Sequence, residues 1–263
     1  ANLPANTYQR IAVDARKRVL LAGGRQLAIH EDGKLSKLSN LKENIRAVYA
    51  HKGDFYVLSE KSIWVIKDEK AVLLHTDSRI QDIAFRNDEI IAGTKDGYYA
   101  IDRRSSKEIF PLQSKVPVPD VRHLMVAGDQ VWAGTPMGAF TRLRDGSFRY
   151  FASKRWLDND EVKGISADKH GNAYVLTATG LNKIEFISQT LAEKAAFFED
   201  KIRNRHMRFG FTTELLLQKP GDIKTAQLVD TDNDGLWTSF YLGSMAFKYA
   251  ATGDEKALQY AWE

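Results

Sequence analysis

The chain has 263 residues and no cysteine. Thiolate catalysis, thiolate zinc sites and disulfide bridges are therefore excluded, while the compartment stays open. No apolar run approaches the ~18 residues a membrane-spanning helix needs, so no membrane insertion is expected within this chain. Charge of one sign is also scarce in excess: 38 basic and 34 acidic residues leave a net +4. The one basic cluster is Lys201, Arg203, Arg205, His206 and Arg208. It is short, no aromatic stacking motif accompanies it, and it reads as a helix end whose cations complement the helix dipole. Nucleic acid is therefore not an expected partner. The nucleophile elbow, the HExxH zinc motif, the P-loop and the dinucleotide fingerprint are all missing. An initiating methionine is missing too. The chain opens on Ala1-Asn2-Leu3-Pro4, as it would after removal of a secretion signal or from an arbitrary starting point.

What is present is a repeat. Segments opening at Ile11, Ile45, Ile80, Val121 and Val162 align, with spacings of 34, 35, 41 and 41 residues. Each begins with an alternating or apolar run and continues, after a few turn residues, into a strongly apolar one at residues 19–24, 55–60, 90–95, 131–136 and 173–178. A third short run follows in every unit, and a fourth in the first four (34–38, 71–76, 107–112 and 148–152). Asp32-Gly33, Gly53-Asp54, Asp96-Gly97, Asp145-Gly146 and His170-Gly171 fall between runs, where tight turns need positive φ. Short strands at this period are the signature of propeller blades. The expected fold class is mainly β: about five blades over residues 1–187, with about nineteen or twenty strands and no helix. The fifth unit lacks its fourth run, and residues 2–8 are expected to supply that strand and join the ends of the domain, Pro4 being tolerable on an edge.

After residue 187 the pattern turns helical. Thr190 and Glu193 form a capping box. Leu191, Ala195, Phe198 and Ile202 then share one face of a helix over 188–206, with Phe197 beside them. Further helices are predicted near 236–251 and from about 254 onward, with Gly253 ending one and Asp254 capping the next. The domains are thus 1–187, propeller, and 188–263, helical.

Two stretches resemble known families. Arg155-Trp156-Leu157-Asp158-Asn159-Asp160-Glu161-Val162, with Asp168, Gly171, Thr177, Gly180 and Leu181 following, resembles the two-component-regulator propeller repeat. Val131-Trp132-Ala133-Gly134-Thr135, with Gly138, repeats its second half, and residues 1–8 resemble the linker before a blade. This resemblance covers most of 1–186 and implies a ligand-binding, sensor-like propeller, periplasmic or secreted. Ile202 to Gly210, Pro220-Gly221-Asp222, Asp230 to Tyr241 and Phe247 to Asp254 resemble the opening of an α/α toroid, as found after propellers in secreted bacterial, some of them carbohydrate-active, proteins. It covers about 60 residues. A full toroid needs more hairpins than this chain carries, so the expectation is a truncated toroid or a smaller helical unit.

Asp230-Thr231-Asp232-Asn233-Asp234-Gly235 spells a D-x-D-x-D-G loop, which can wrap calcium. Tyr241 occupies the position where a calcium loop carries its bidentate acid. Three readings of these carboxylates stay open: caps on the following helix, a substrate-facing acid at Asp234, or a calcium site at Asp230, Asp232 and Asp234. No other cofactor is expected. By the toroid resemblance, Arg205, His206, Asp232, Asp234 and Trp237 are ligand-binding candidates, and Trp156, in a loop before a blade, is a candidate for stacking on a sugar ring. His30, His51, His75, His123 and His170 lack metal-ligand spacing and read as structural. The expected function is a glycan- or metabolite-binding module. The alternatives are the front of a carbohydrate-active enzyme, with this fragment not catalytic by itself, and a partner-binding scaffold. Aromatics on the last helices lead to the further expectation that they pack on the propeller or form a homodimer.

Overall fold

A computed structural model describes residues 7–168, 170–219 and 221–263. The chain divides into two compact units, Ala1–Phe186 and Ile187–Glu263.

Among its described residues the first unit holds nineteen strands in five antiparallel meanders. The first sheet comprises β1 (Arg10–Val13), β2 (Val19–Gly23), β3 (Gln26–Glu31) and β4 (Lys34–Lys37). The second comprises β5 (Ile45–His51), β6 (Asp54–Ser59), β7 (Ser62–Lys67) and β8 (Lys70–Thr76). The third comprises β9 (Ile80–Arg86), β10 (Glu89–Thr94), β11 (Gly97–Asp102) and β12 (Glu108–Gln113). The fourth comprises β13 (His123–Ala127), β14 (Gln130–Thr135), β15 (Gly138–Arg142) and β16 (Phe148–Phe151). The fifth has three strands, β17 (Val162–Ala167), β18 (Ala173–Thr177) and β19 (Leu181–Ile184). No helix occurs among the described residues of this unit. These sheets are the blades of a β-propeller.

Each blade's second strand is mostly apolar, and in the first four blades both its faces are buried. Side chains alternate across a strand, so successive residues serve successive interfaces. On β6, Phe55 and Val57 enter the core shared with the first blade, while Tyr56 and Leu58 enter the core shared with the third. On β10, Ile90 and Ala92 face the second blade, and Ile91 faces the fourth. On β14, Val131 and Ala133 face the third blade, and Trp132 faces the fifth.

The recurring Thr…Gly at the end of that strand is a hairpin lock. The hydroxyl of Thr94 donates to the Gly97 carbonyl at 2.9 Å and accepts from the Asp96 N–H at 3.0 Å. Thr135 does the same with Gly138 and Met137. Thr177 Oγ1 accepts likewise from the Thr179 N–H, but gives its proton to Asp158. Gly97 and Gly138 sit at φ 128° and 114°, and a Cβ there would lie 2.0 Å from the Gln113 carbonyl oxygen and 2.6 Å from that of Phe151. Both the dihedral and the close approach of the outer strand require glycine. Asp32-Gly33 forms its turn as expected, whereas in the second blade the positive-φ pair is Lys52-Gly53, with Asp54 already in β6.

The family-like stretch before the fifth blade turns out to be a latch. Asp158 accepts hydrogen bonds from the hydroxyls of Thr177 and Thr179, each at 2.6 Å, and from the Asn182 side-chain amide at 2.7 Å. These donors, the Thr177 bond first, hold its carboxyl well below the usual carboxylate range. A group whose folded pKa is depressed stabilises the fold above its unfolded pKa, and that contribution is lost as pH falls toward the folded value. Asp158→Ala is therefore expected to lower the denaturation midpoint near neutral pH. Its deficit against wild type should begin to shrink below about pH 4. A deficit constant down to about pH 2.5 would rule out an ionised latch.

Four of the five blade junctions expected of a ring are visible among the described residues. Four buried clusters join consecutive blades, and among the described residues none joins the fifth blade to the first. Ile11 of β1 is 64% exposed and Leu181 of β19 is 67% exposed, each on the side of its blade that faces away from the neighbouring blade. The strand expected from residues 2–8 falls largely outside the described residues.

The second unit begins with α1 (Leu191–Arg205). Its capping box is present: Glu193 N–H donates to Thr190 Oγ1 at 3.2 Å, and Thr190 N–H to Glu193 Oε2 at 2.7 Å. Two short hairpins follow, which the helical reading did not anticipate: β20 (Met207–Arg208) with β21 (Phe211–Thr212), and β22 (Glu214–Leu217) with β23 (Ala226–Val229). Then come α2 (Asp234–Thr252) and α3 (Glu255–Trp262). Gly253 takes the left-handed conformation after α2, and Asp254 caps α3 by accepting from the Lys256 N–H at 3.0 Å. Tyr241, Met245 and Ala257 form a small core with Ile202, Tyr249 and Tyr260 against it. Of the apolar stripe expected on α1, only Ile202 joins this core. Leu191, Phe197 and Phe198 are exposed, as is Trp262 at 83%.

Candidate functional site

The second unit contains a cleft of about 530 Å³ where the end of α1, the hairpins and α2 meet. Trp237, Phe240, Tyr241 and Ser244 lie at i, i+3, i+4 and i+7 of α2, so one helix face supplies one wall. The hairpins are fixed to that helix by the Thr212 N–H, which donates to Thr238 Oγ1 at 2.9 Å. Phe209 and Gly210 form the tip of the first hairpin at φ 50° and 84°, a pair of positive values that matches the strand twist.

His206 closes the floor of the cleft. It ends α1, donating its N–H to the Ile202 carbonyl at 2.9 Å, and its own carbonyl accepts from the Thr213 N–H at 2.8 Å. Its Nδ1 lies 3.0 Å from the Thr213 carbonyl oxygen. A carbonyl only accepts, so Nδ1 carries a proton, and Nε2 is left for a ligand. Tyr241 is buried, and its hydroxyl has no hydrogen-bond partner among the described residues. Burial raises its pKa, partly offset by the nearby Arg203 guanidinium, so the phenol stays a neutral donor. Glu214, at the start of β22, adds one carboxylate.

Of the sequence candidates, His206 and Trp237 line this cleft together, and Arg205, Asp232 and Asp234 do not. Arg205 is exposed in the last turn of α1. Asp234 is the first residue of α2 and accepts from the Thr231 hydroxyl at 3.0 Å. The N-cap is Asn233, and it makes no side-chain cap bond, so the capping reading of Asp232 and Asp234 is corrected: Asp234 complements the helix dipole from inside the first turn. Asp230 is ion-paired with Arg208, Asp232 is exposed, and Asp234 is turned to Thr231. Among the described residues no group of three or more acids or histidines is placed to hold a metal. Trp156 belongs to the first unit, half-exposed, edge-on to Phe151 at 5.3 Å with the Arg155 guanidinium 5.5 Å from its ring.

Two of the blade histidines make structural contacts. His51 stacks on Phe85 at 4.7 Å and meets the Asn87 carbonyl at 2.7 Å, and His75 bonds the Tyr99 hydroxyl at 2.9 Å. Burial lowers the pKa of His75 and of His123. The cleft residues that sequence reasoning missed are Thr212 to Leu215, Phe240 and Tyr241. The two rings carried a signal, their helical spacing from Trp237. The hairpin residues carried only two short, mostly apolar segments, Glu214–Leu217 and Ala226–Val229.

No family model matches the sequence, and no curated protein sequence matches it. Solved structures do. An extracellular domain assigned to a hybrid two component system of B. thetaiotaomicron aligns at 15% identity and TM-score 0.57, over 72% of this chain and 29% of that one. A second such domain from the same organism aligns at 18% and 0.59, over 70% and 27%. A streptogramin B lyase aligns at 15% and 0.56, over 70% and 66%. The chain thus spans under a third of either extracellular domain. These likenesses concern the fold and place the repeated sheets among β-propellers. Among the described residues no helix is long and apolar enough to cross a membrane.

Proposed function

We propose that this chain is a periplasmic or secreted ligand-binding module that takes a glycan or a small sugar-like metabolite in the aromatic cleft of its second unit. The observation that carries the reading is the cleft's composition. Trp237 and Phe240 present exposed aromatic faces, suited to the apolar face of a pyranose ring. His206 Nε2, the Tyr241 hydroxyl and Glu214 provide a ring nitrogen, an unpaired donor and a carboxylate for ring hydroxyls, the few placed polar groups that orient a ligand in a largely apolar pocket. The likeness of the propeller to extracellular domains of two component systems supports the compartment. Ordinary glycoside hydrolysis uses two carboxylates. Glu214 is the one acid lining this cleft among the described residues, which favours binding over cleavage.

The test is a titration of tryptophan fluorescence with soluble neutral oligosaccharides. A saturable change is expected, absent in Trp237→Ala. His206→Ala should weaken binding by about tenfold or more, the loss of one well-placed polar anchor. No saturable change at millimolar sugar, or full binding by Trp237→Ala, would overturn the reading.

A further inference from the structure

The propeller carries a second cavity, of about 730 Å³, at the end of the interface between the third and fourth blades. Its working residues are Arg86, Tyr98, Phe110, Asp129, Arg142 and Arg144. The interface one blade earlier shows what normally fills such a corner. There Arg103, from the turn between the third and fourth strands of its blade, donates to Asp88 at 2.7 Å, to Asp54 at 3.0 Å and to the Tyr56 hydroxyl at 3.2 Å. One guanidinium thus satisfies a carboxylate on each blade and a buried phenol.

In the later interface the counterparts are present and the network is not. Arg142 and Arg144 flank the corresponding turn, and Asp129 occupies the turn corresponding to that of Asp88. Yet neither arginine forms an ion pair among the described residues. Arg142 instead lies over the Phe110 ring, 5.0 Å from its centroid. Arg86 is held by Glu89 at 2.7 Å. Tyr98 is 3% exposed, and its hydroxyl is buried with no hydrogen-bond partner among the described residues. A buried donor left unpaired is costly in an empty corner and useful in a filled one.

We propose that this groove is an anion site, in which Arg142, Arg144 and the Tyr98 hydroxyl bind the carboxylate or phosphate of a sugar-sized ligand. The cavity has the volume of a small-molecule pocket. Two uncommitted guanidinium groups against the single carboxylate of Asp129 leave it cationic. Guanidinium geometry matches both oxyanions in bidentate fashion. Phe110, already under Arg142, gives the ligand body an apolar wall. The site is in the first unit and does not depend on the aromatic cleft.

Calorimetric titration with glucuronate and with glucose 1-phosphate, against glucose as the neutral control, tests this on the whole chain. One or both anions should bind one-to-one and glucose should not compete. Binding of glucuronate alone assigns a carboxylate ligand, of the phosphate alone a phosphate ester, and of both a general oxyanion site. The double variant Arg142→Ala, Arg144→Ala should weaken binding at least tenfold, and added salt should weaken it in wild type. Tyr98→Phe should weaken binding severalfold while its melting temperature stays level or rises, since it removes an unpaired polar group. Trp237→Ala should leave anion binding unchanged, which separates this site from the cleft. Absence of saturable heat with both anions, or unaltered affinity in the double arginine variant, would overturn the proposal.

Discussion

Replacing Trp132 by alanine is expected to destabilise the propeller by about 3–5 kcal/mol, the cost of emptying a large aromatic site in a packed core. Trp132 is fully buried on β14 and is the largest such side chain. It stacks on Phe151 with ring centroids 5.5 Å apart and planes at 21°, and Phe186 leans on it at 6.0 Å. Leu157, Val162, Val175 and Ile184 complete the cluster, so this one ring joins the fourth blade to the fifth. The neighbours sit on strands and cannot collapse into the gap without moving a sheet, so relaxation recovers little. At ~2–4 °C per kcal/mol for a unit of this size, the β-sheet melting transition should fall by roughly 6–20 °C. Trp132→Phe separates packing from polarity. The indole Nε1 is buried without a hydrogen-bond partner among the described residues, so phenylalanine loses volume but also removes an unsatisfied donor. Its loss should be under about 1.5 kcal/mol. A fall below about 3 °C in the alanine variant would mean that the fourth and fifth blades do not pack through this residue.

Trp132 also shows why the blades were legible and the binding grooves were not. An interior strand packed on both faces must be apolar at its central positions, and a hairpin lock must carry threonine and glycine at fixed spacing. Both constraints are local, so they recur along the chain and mark themselves as a repeat. The groove residues Tyr98 and Arg142 obey no local rule. They meet because β11 of one blade faces the hairpins of the next, a pairing over forty residues that periodicity cannot reveal. The second unit divides the same way. Thr190 with Glu193 and Gly253 with Asp254 act within one turn of helix, and the helices they bound are where local chemistry puts them. The hairpins at residues 207–229 are too short for a period of two to stand out, and a resemblance to helical toroids pulled the reading toward helix. The Asp230 to Gly235 loop has the spacing of a calcium ligand set. Arg208, twenty-two residues upstream, takes Asp230 by pairing through the fold.

Asp82→Ala should be the other severely destabilising change, with an unusual dependence on pH. Asp82 lies on β9, and its carboxylate ties three blades together. Oδ1 accepts from the Tyr49 hydroxyl of the second blade at 2.5 Å and from the Ile83 N–H at 2.9 Å, and Oδ2 accepts from the Leu124 N–H of the fourth at 2.8 Å. Alanine leaves the Tyr49 and Leu124 donors without an acceptor, at ~1–3 kcal/mol each. A loss of roughly 2–6 kcal/mol is expected. Burial is the largest influence on Asp82 and raises its pKa above 3.8, against the lowering effect of its three donors. Ionisation is thus harder in the folded state than in the unfolded one. The contribution of Asp82 to stability is therefore full below the unfolded pKa and declines as pH rises through the folded value. Asp88 behaves in the opposite sense. Hydrogen bonds from Arg103 and Lys52 hold its pKa down to about 2, so its contribution is present at neutral pH and lost in acid. Melting temperatures of wild type and Asp82→Ala, measured from about pH 4 to about pH 7.5, should show a gap that narrows as pH rises, because the variant no longer carries a buried group that resists ionisation. A gap that widens with pH would show that the charged carboxylate is favoured by its three donors over water, and that burial is not what governs this site.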